Sequence, residues 1–182
     1  MKDDEFGLNV YRKMLDTLKE KEVEREVMNT GIQYAKTLFT LGKTDDLGAT
    51  LEELLDYLDS NFRNEDEITK SIKLELLVLK IQFCNIKKLT KESKRLYIEA
   101  NKLNENKVIS DNRLSAIINE EGGKLFMSQK EYDQALENFK TAFYNYQAAG
   151  NIRAKNLLKY AILTSIISRT RKNIVSPEEA KQ

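Results

Sequence analysis

A single proline, Pro177, and only seven glycines punctuate the 182 residues of this chain. A β-sandwich or barrel needs turn residues every 8–12 positions, so this scarcity argues against one. It suits long helices joined by short links. Helical periodicity runs through almost the whole chain. Phe6, Val10, Met14 and Leu18 recur at four-residue steps and predict a first helix over about residues 4–19. Val23, Val27, Gly31, Tyr34 and Leu38 mark a second, with Gly42 at its C′ position. Thr44 or Asp45 is the expected cap of a third, whose stripe is Leu47, Leu51, Leu54, Leu55 and Leu58.

Residues 61–67 form a polar break, and Ile68, Ile72, Leu76, Leu79 and Phe83 then predict a dense fourth helix. Thr90 opens a fifth, with Leu96, Tyr97, Ala100 and Leu103. After a break at Asn104 to Lys107, Ser110 or Asp111 is expected to cap a sixth, through Leu114, Ile117, Ile118 and Phe126. Tyr132 to Tyr146 predicts a seventh, stopped by Gly150. The last is highly apolar, with Leu157, Leu158, Ala161, Ile162 and Ile166. Hairpin turns near Gly42, Ile86 and Gln129 lie 44 and 43 residues apart. Recurrence near 40 residues marks a solenoid, because one helix pair cannot bury its apolar face alone. The expected fold is all-α, a right-handed superhelix of about four antiparallel hairpins.

The most informative stretch is Gly123 to Ala142. Small residues at Gly123, Ala135 and Ala142 alternate with large ones at Phe126, Tyr132 and Phe139. This is the tetratricopeptide pattern: Gly123 and Ala135 let two helices approach, the large rings fill the flanks, and Ala142 admits the next hairpin. Earlier copies are looser, one through Ala35, Leu38, Gly42, Leu47, Leu51 and Leu54, the other through Cys84, Ser93, Tyr97 and Ala100.

The chemistry available is narrow. The chain has no histidine, hence no usual general base, proton shuttle or commonest metal ligand. The one cysteine, Cys84, sits in an apolar helix and reads as an inert buried thiol. It can form neither an intramolecular disulfide nor a cysteine-rich zinc site, a pattern that fits a reducing, intracellular setting. The carboxylate pairs Asp45–Asp46, Glu52–Glu53 and Glu120–Glu121 are adjacent on helices and point about 100° apart, so none reads as an acid/base dyad. Gly122-Gly123 lies inside a helix without the Gly-Lys-Ser/Thr ending of a phosphate loop. No cofactor is expected.

Charge drifts along the chain. Residues 1–67 carry 17 acids against 9 bases, residues 68–150 carry 10 against 14, and residues 151–182 carry 2 against 7. Partners of opposite charge at the two ends are one reading. No basic run interleaved with aromatics appears, so nucleic acid is not an expected partner. The acidic start lacks a secretory apolar core, and the apolar-rich stretch from Ile72 to Phe83 is too short and charged to span a bilayer. The last helix has apolar residues on several sides, where a terminal repeat normally carries a polar outer face. Lys155, Lys159, Ile166, Ile167, Arg169, Arg171 and Lys172 are accordingly the candidate partner surface.

Several stretches together resemble one family. They are Ile117-Ile-Asn-Glu-Glu-Gly-Gly-Lys124, Glu131-Tyr-Asp-Gln-Ala135, Phe139-Lys-Thr-Ala-Phe-Tyr-Asn-Tyr146, Leu158-Lys-Tyr-Ala-Ile-Leu163 and Ser176-Pro-Glu-Glu-Ala-Lys181. These resemble subunit 2 of the COP9 signalosome over most of the chain and specifically over about residues 110–181. A homologous proteasome lid subunit shares the Phe139–Tyr146 and Leu158–Tyr160 features. The resemblance implies a non-catalytic arm of helical repeats that leads into a winged-helix PCI domain. Such an arm contacts other subunits and helps grip a cullin–RING ubiquitin ligase, while a different, zinc-dependent subunit removes Nedd8. It implies work in the cytoplasm or nucleus.

Against that family the chain reads as lacking the first repeats and stopping before the winged helix. Residues 1–175 are expected to form the repeat domain. Ser176-Pro177-Glu178-Glu179 reads as a helix start, Ser at the N-cap and Pro at N1, of a truncated helix over 176–182. The expectation is a fragment or a shortened paralogue. The alternatives are the lid subunit acting as a brace and a generic adapter whose groove holds a short peptide.

Overall fold

A computed structural model describes the backbone of residues 2–62, 66–105 and 112–175, with side chains over 5–62, 66–104 and 112–169. Among the described residues every regular element is helical. In chain order these are α1 (Lys2–Glu20), α2 (Glu24–Thr40), α3 (Thr44–Asn61), α4 (Glu67–Ile86), α5 (Thr90–Glu105), α6 (Asn112–Ser128), α7 (Tyr132–Ala148) and α8 (Ala154–Val175). Each helix packs on the next, and α2, α4 and α6 also touch one another in series. Hairpins α2–α3, α4–α5 and α6–α7 therefore stack progressively, with their first helices forming a shared layer. That is the contact order a solenoid requires.

The turns explain why the repeat is regular although its sequence is degenerate. Glu22, Gly42, Lys88, Lys130 and Gly150 all adopt positive φ, between 54° and 69°. At each, the following amide donates to the carbonyl five residues back, as in Lys43 to Leu38, Leu89 to Cys84 and Glu131 to Phe126, at 2.8–3.3 Å. A second bond, such as Gly42 to Phe39 or Lys88 to Asn85, completes a Schellman motif. Three of the five positions are not glycine.

Counted from these turn residues the hairpins align. Leu38, Cys84 and Phe126 stand four before the turn; Leu47, Ser93 and Ala135 stand five after it. Leu51, Tyr97 and Phe139 follow at nine, and Leu54, Ala100 and Ala142 at twelve. All twelve are buried. The core divides in two, one part held by α1–α4 and the other by α4–α8, and Phe83 packs against both.

Three local expectations are corrected. Helix α1 forms, but the side it buries is Leu8 and Leu15, flanked by half-buried Tyr11 and Leu18. Phe6, Val10 and Met14 stay exposed at 72%, 39% and 46%. Two apolar lines share this helix, and α2 covers only one. Helix α3 is not capped by Thr44 or Asp45: its N-cap is Lys43, which makes no side-chain capping bond. The turn at Gly42 feeds the chain straight into the helix and leaves no extended residue before it. Ile68 and Val23, placed on buried stripes by periodicity, are exposed. The expected caps Ser110 and Asp111 and the expected helix start at Ser176 lie outside the described residues.

Candidate functional site

Two features of the second core stand out, a close-packed α6–α7 seam and a polar network beneath it. The seam exists because α6 offers no side chain where α7 presses closest. A Cβ on Gly123 would land on the buried Phe139 ring, and one on Gly122 would land on Tyr97. The Gly122 gap also admits the bond from the Tyr97 hydroxyl to Asn138 Oδ1, 2.6 Å, which ties α5 to α7 over the top of α6. Phe126 is buried edge-to-face against Tyr97, centroids 5.6 Å apart. Ala135 and Ala142 are buried, and Tyr132 is half-buried at the start of α7. Gly123, Phe126, Ala135, Phe139 and Ala142 therefore meet along one seam. They hold helices together and present no reactive group.

Sequence reasoning treated Glu120 and Glu121 only as a catalytic pair to be dismissed. Both carboxylates are buried, and both are fully engaged. Lys124, one turn along α6, sits 2.9 Å from Glu120 and 2.7 Å from Glu121. The Tyr146 hydroxyl donates to Glu120 Oε2 at 2.8 Å, and Arg153 at the head of α8 lies 3.6 Å from Glu120. On the other flank Asn85 Nδ2 donates to Glu121 Oε2 at 2.7 Å, and Ser93 Oγ donates to Asn85 Oδ1 at 2.7 Å. One network thus clamps α4, α5, α6, α7 and α8.

Burial pushes the Glu120 carboxyl upward, but Lys124, Tyr146 and Arg153 outweigh it and hold the group below its ordinary value of 4.5. Burial likewise pulls Lys124 down, while Glu121 and Glu120 more than compensate and raise it. The Tyr146 phenol is pushed well up by burial and then by Glu120. A base below its normal affinity and an acid above its own are poor proton-transfer partners. The Cys84 thiol, buried and raised to about 11, is a poor nucleophile. Among the described residues no group of three His, Cys, Asp or Glu side chains could hold a metal ion, and no helix is long and apolar enough to cross a membrane.

Surface chemistry concentrates on α8. Its buried side is Leu157, Ala161, Thr164 and Ser168, with Thr164 Oγ1 against Met127 and Ser168 bonded to Asp133. Outward stand Leu158, Ile162, Leu163, Ile166 and Ile167, each 40–57% exposed. Lys155, Lys159 and Arg169 are exposed among them. A groove of about 640 Å³ runs between α7 and α8, lined in part by Leu136, Phe143, Tyr144, Leu158, Ile162 and Arg169. The side chains of Arg171 and Lys172 lie outside the described residues.

No family model matches the sequence. Individual relatives do. The chain is 31% identical over 172 residues to COP9 signalosome complex subunit 2 of Dictyostelium discoideum, covering 94% of this chain and 38% of the relative. The corresponding subunit of Drosophila melanogaster is 28% identical over 95% of this chain and 38% of its own length. That of Schizosaccharomyces pombe is 29% identical over 93% and 38%. Over nearly its whole length the chain is similar to COP9 signalosome subunit 2. It spans about 38% of the length of these curated relatives. The similarity covers more than the tetratricopeptide-like seam, since the matched span takes in both cores and reaches into the helices at each end. Within this segment, the glycine seam and the Glu120 network both lie in the second core. The outer side of α8 exposes Leu158, Ile162, Leu163, Ile166 and Ile167.

Proposed function

We propose that the chain is a non-catalytic scaffold segment of a COP9 signalosome-like complex. Other subunits of a PCI-type complex are the partners of its helical stack, which helps hold a cullin–RING ubiquitin ligase for deneddylation in the cytoplasm or nucleus. The observation that carries this reading is similarity to subunit 2 along 93–95% of the chain in separate relatives. The exposed apolar and basic side of α8 supports it as a surface for protein contact. A peptide-holding adapter is less well supported. Such a groove needs a row of available cations, yet Lys73 and Lys80 on α4 and Lys87 at its C-cap, at seven-residue steps, lie against Glu99, Glu92 and Asp45.

Affinity capture of the full chain from its source organism tests the proposal. Recovery of signalosome-type subunits together with a cullin is the expected result. Recovery of proteasome lid subunits in their place would overturn it, and so would recovery of neither.

A further inference from the structure

In the middle of the stack, two neighbouring hairpins turn opposite charges outward from the same places. Three, seven, ten and fourteen residues after the left-handed residue Gly42 stand Asp45, Ala49, Glu52 and Asp56 of α3. The same steps after Lys88 reach Lys91, Arg95, Ile98 and Lys102 of α5. All eight are exposed, and steps of three and four residues line each set along one side of its helix. The third hairpin has no such bias: its four places hold Asp133, Glu137, Lys140 and Tyr144.

Each stripe is close to pure in sign. Helix α3 carries six acids and no lysine or arginine. Helix α5 carries both signs, but its acids Glu92 and Glu99 turn inward to Lys80 and Lys73 of α4. What remains on its outer side is Lys91, Arg95 and Lys102, around Ile98, which is 47% exposed. Both helices pack on α4, and as second helices of aligned hairpins they run the same way and face the same side. The acidic and basic stripes therefore lie side by side on one surface.

We propose that this surface docks on a second copy of the chain about a two-fold axis running along the helices between α3 and α5. Such an axis sets α3 of each copy on α5 of the other and keeps every residue at its own height. Asp56 then meets Lys102, and Arg95 reaches Glu52 one turn on. Ile98 covers Ala49, while Asp45 is shared between Lys91 and Lys87 of its own chain, 2.8 Å away. Every contact is made twice, so the assembly closes at two copies. Exposed ion pairs are individually weak and are screened by salt, so the dimer belongs to high protein concentration and low ionic strength. This goes beyond the scaffold reading and concerns the purified chain with no other subunit present, so either can fail while the other stands.

Sedimentation of the 182-residue chain over a wide concentration range at low salt tests it. The mass is expected to rise from 21.1 kDa to twice that value, stop there, and fall back as salt is added. Two charge reversals sharpen the test, Glu52→Lys with Asp56→Lys on α3 and Arg95→Glu with Lys102→Glu on α5. All four positions are exposed, and circular dichroism checks that the helices remain. Each pair alone is expected to leave the chain monomeric, because its two stripes then share one sign. Mixed in equal amounts, the two variants are expected to form a complex of one chain of each. A chain carrying all four substitutions is expected to dimerise again. A mass of 21.1 kDa at every concentration, or growth beyond two copies, would overturn the proposal. So would a dimer that survives either pair of reversals, or a mixture that stays monomeric.

Discussion

The two cores that share α4 solve the same packing problem with different residues. In the first, α1–α4, leucines such as Leu38, Leu47, Leu51, Leu54 and Leu58 predominate. Its close glycines Gly31 and Gly48 lie against Leu54 and the shared Phe83 ring, and among the described residues it holds no buried carboxylate network. In the second, α4–α8, glycine meets ring and buried carboxylates meet lysine, tyrosine and asparagine. Leucines interlock with some tolerance, since they can change rotamer and refill space. A glycine under an aromatic ring cannot, and a buried carboxylate needs each of its partners. The second core should therefore be the more brittle of the two, and also the one whose sequence pattern is easier to recognise.

The sharpest way to break that contrast is Gly123→Val. The new side chain meets the buried Phe139 ring with nowhere to move, so a loss of about 3 kcal/mol is expected in denaturant unfolding. Gly7→Ala, in an α1 position with open space around it, should instead gain about 0.5–1 kcal/mol. Next in size is Lys124→Met, which leaves two buried carboxylates without their main cation. Breaking such a pair costs about 3–5 kcal/mol when it is fully buried, and part of Lys124 reaches solvent, so about 2 kcal/mol is expected. Tyr146→Phe removes one bond from Glu120 and should cost about 1 kcal/mol, read from the thermal midpoint.

Acid should separate the cores too. Glu120 is held below its ordinary 4.5 when folded, so the stability it contributes is present above that value and lost as pH falls below it. Thermal melts are expected to drop through that window, and Glu120→Gln should flatten the drop. A drop of unchanged size in the variant would remove Glu120 from the account. The smallest effect is a gain. Lys88→Gly relieves a non-glycine residue at φ 59° and should add up to about 1 kcal/mol.

How much of this the sequence shows differs by residue. The hairpin turns near Gly42, Ile86 and Gln129 were legible, because apolar periodicity stops there and restarts. The seam of Gly123, Phe126, Ala135 and Phe139 was legible from size alternation alone. The exposed side of α1 was not. Phe6–Val10–Met14 and Leu8–Tyr11–Leu15 are equally good helical stripes, and only a neighbouring helix decides which is covered. Nor were the left-handed turns at Glu22, Lys88 and Lys130, since their Schellman bonds come from backbone that any residue can be forced into. The Glu120–Glu121 network was invisible for a further reason. Its partners Asn85, Ser93 and Tyr146 come from three other helices and Arg153 from just before a fourth, and adjacency in sequence says nothing about that convergence.

The central claim is that stability is local, each hairpin resting on its neighbours and not on the whole. Amide hydrogen exchange on the Gly123→Val variant tests it most directly. The account predicts that α6–α8 lose protection strongly, α4 and α5 less, and α2 and α3 hardly at all. An equal loss in every helix, or a loss centred on α2 and α3, would contradict it.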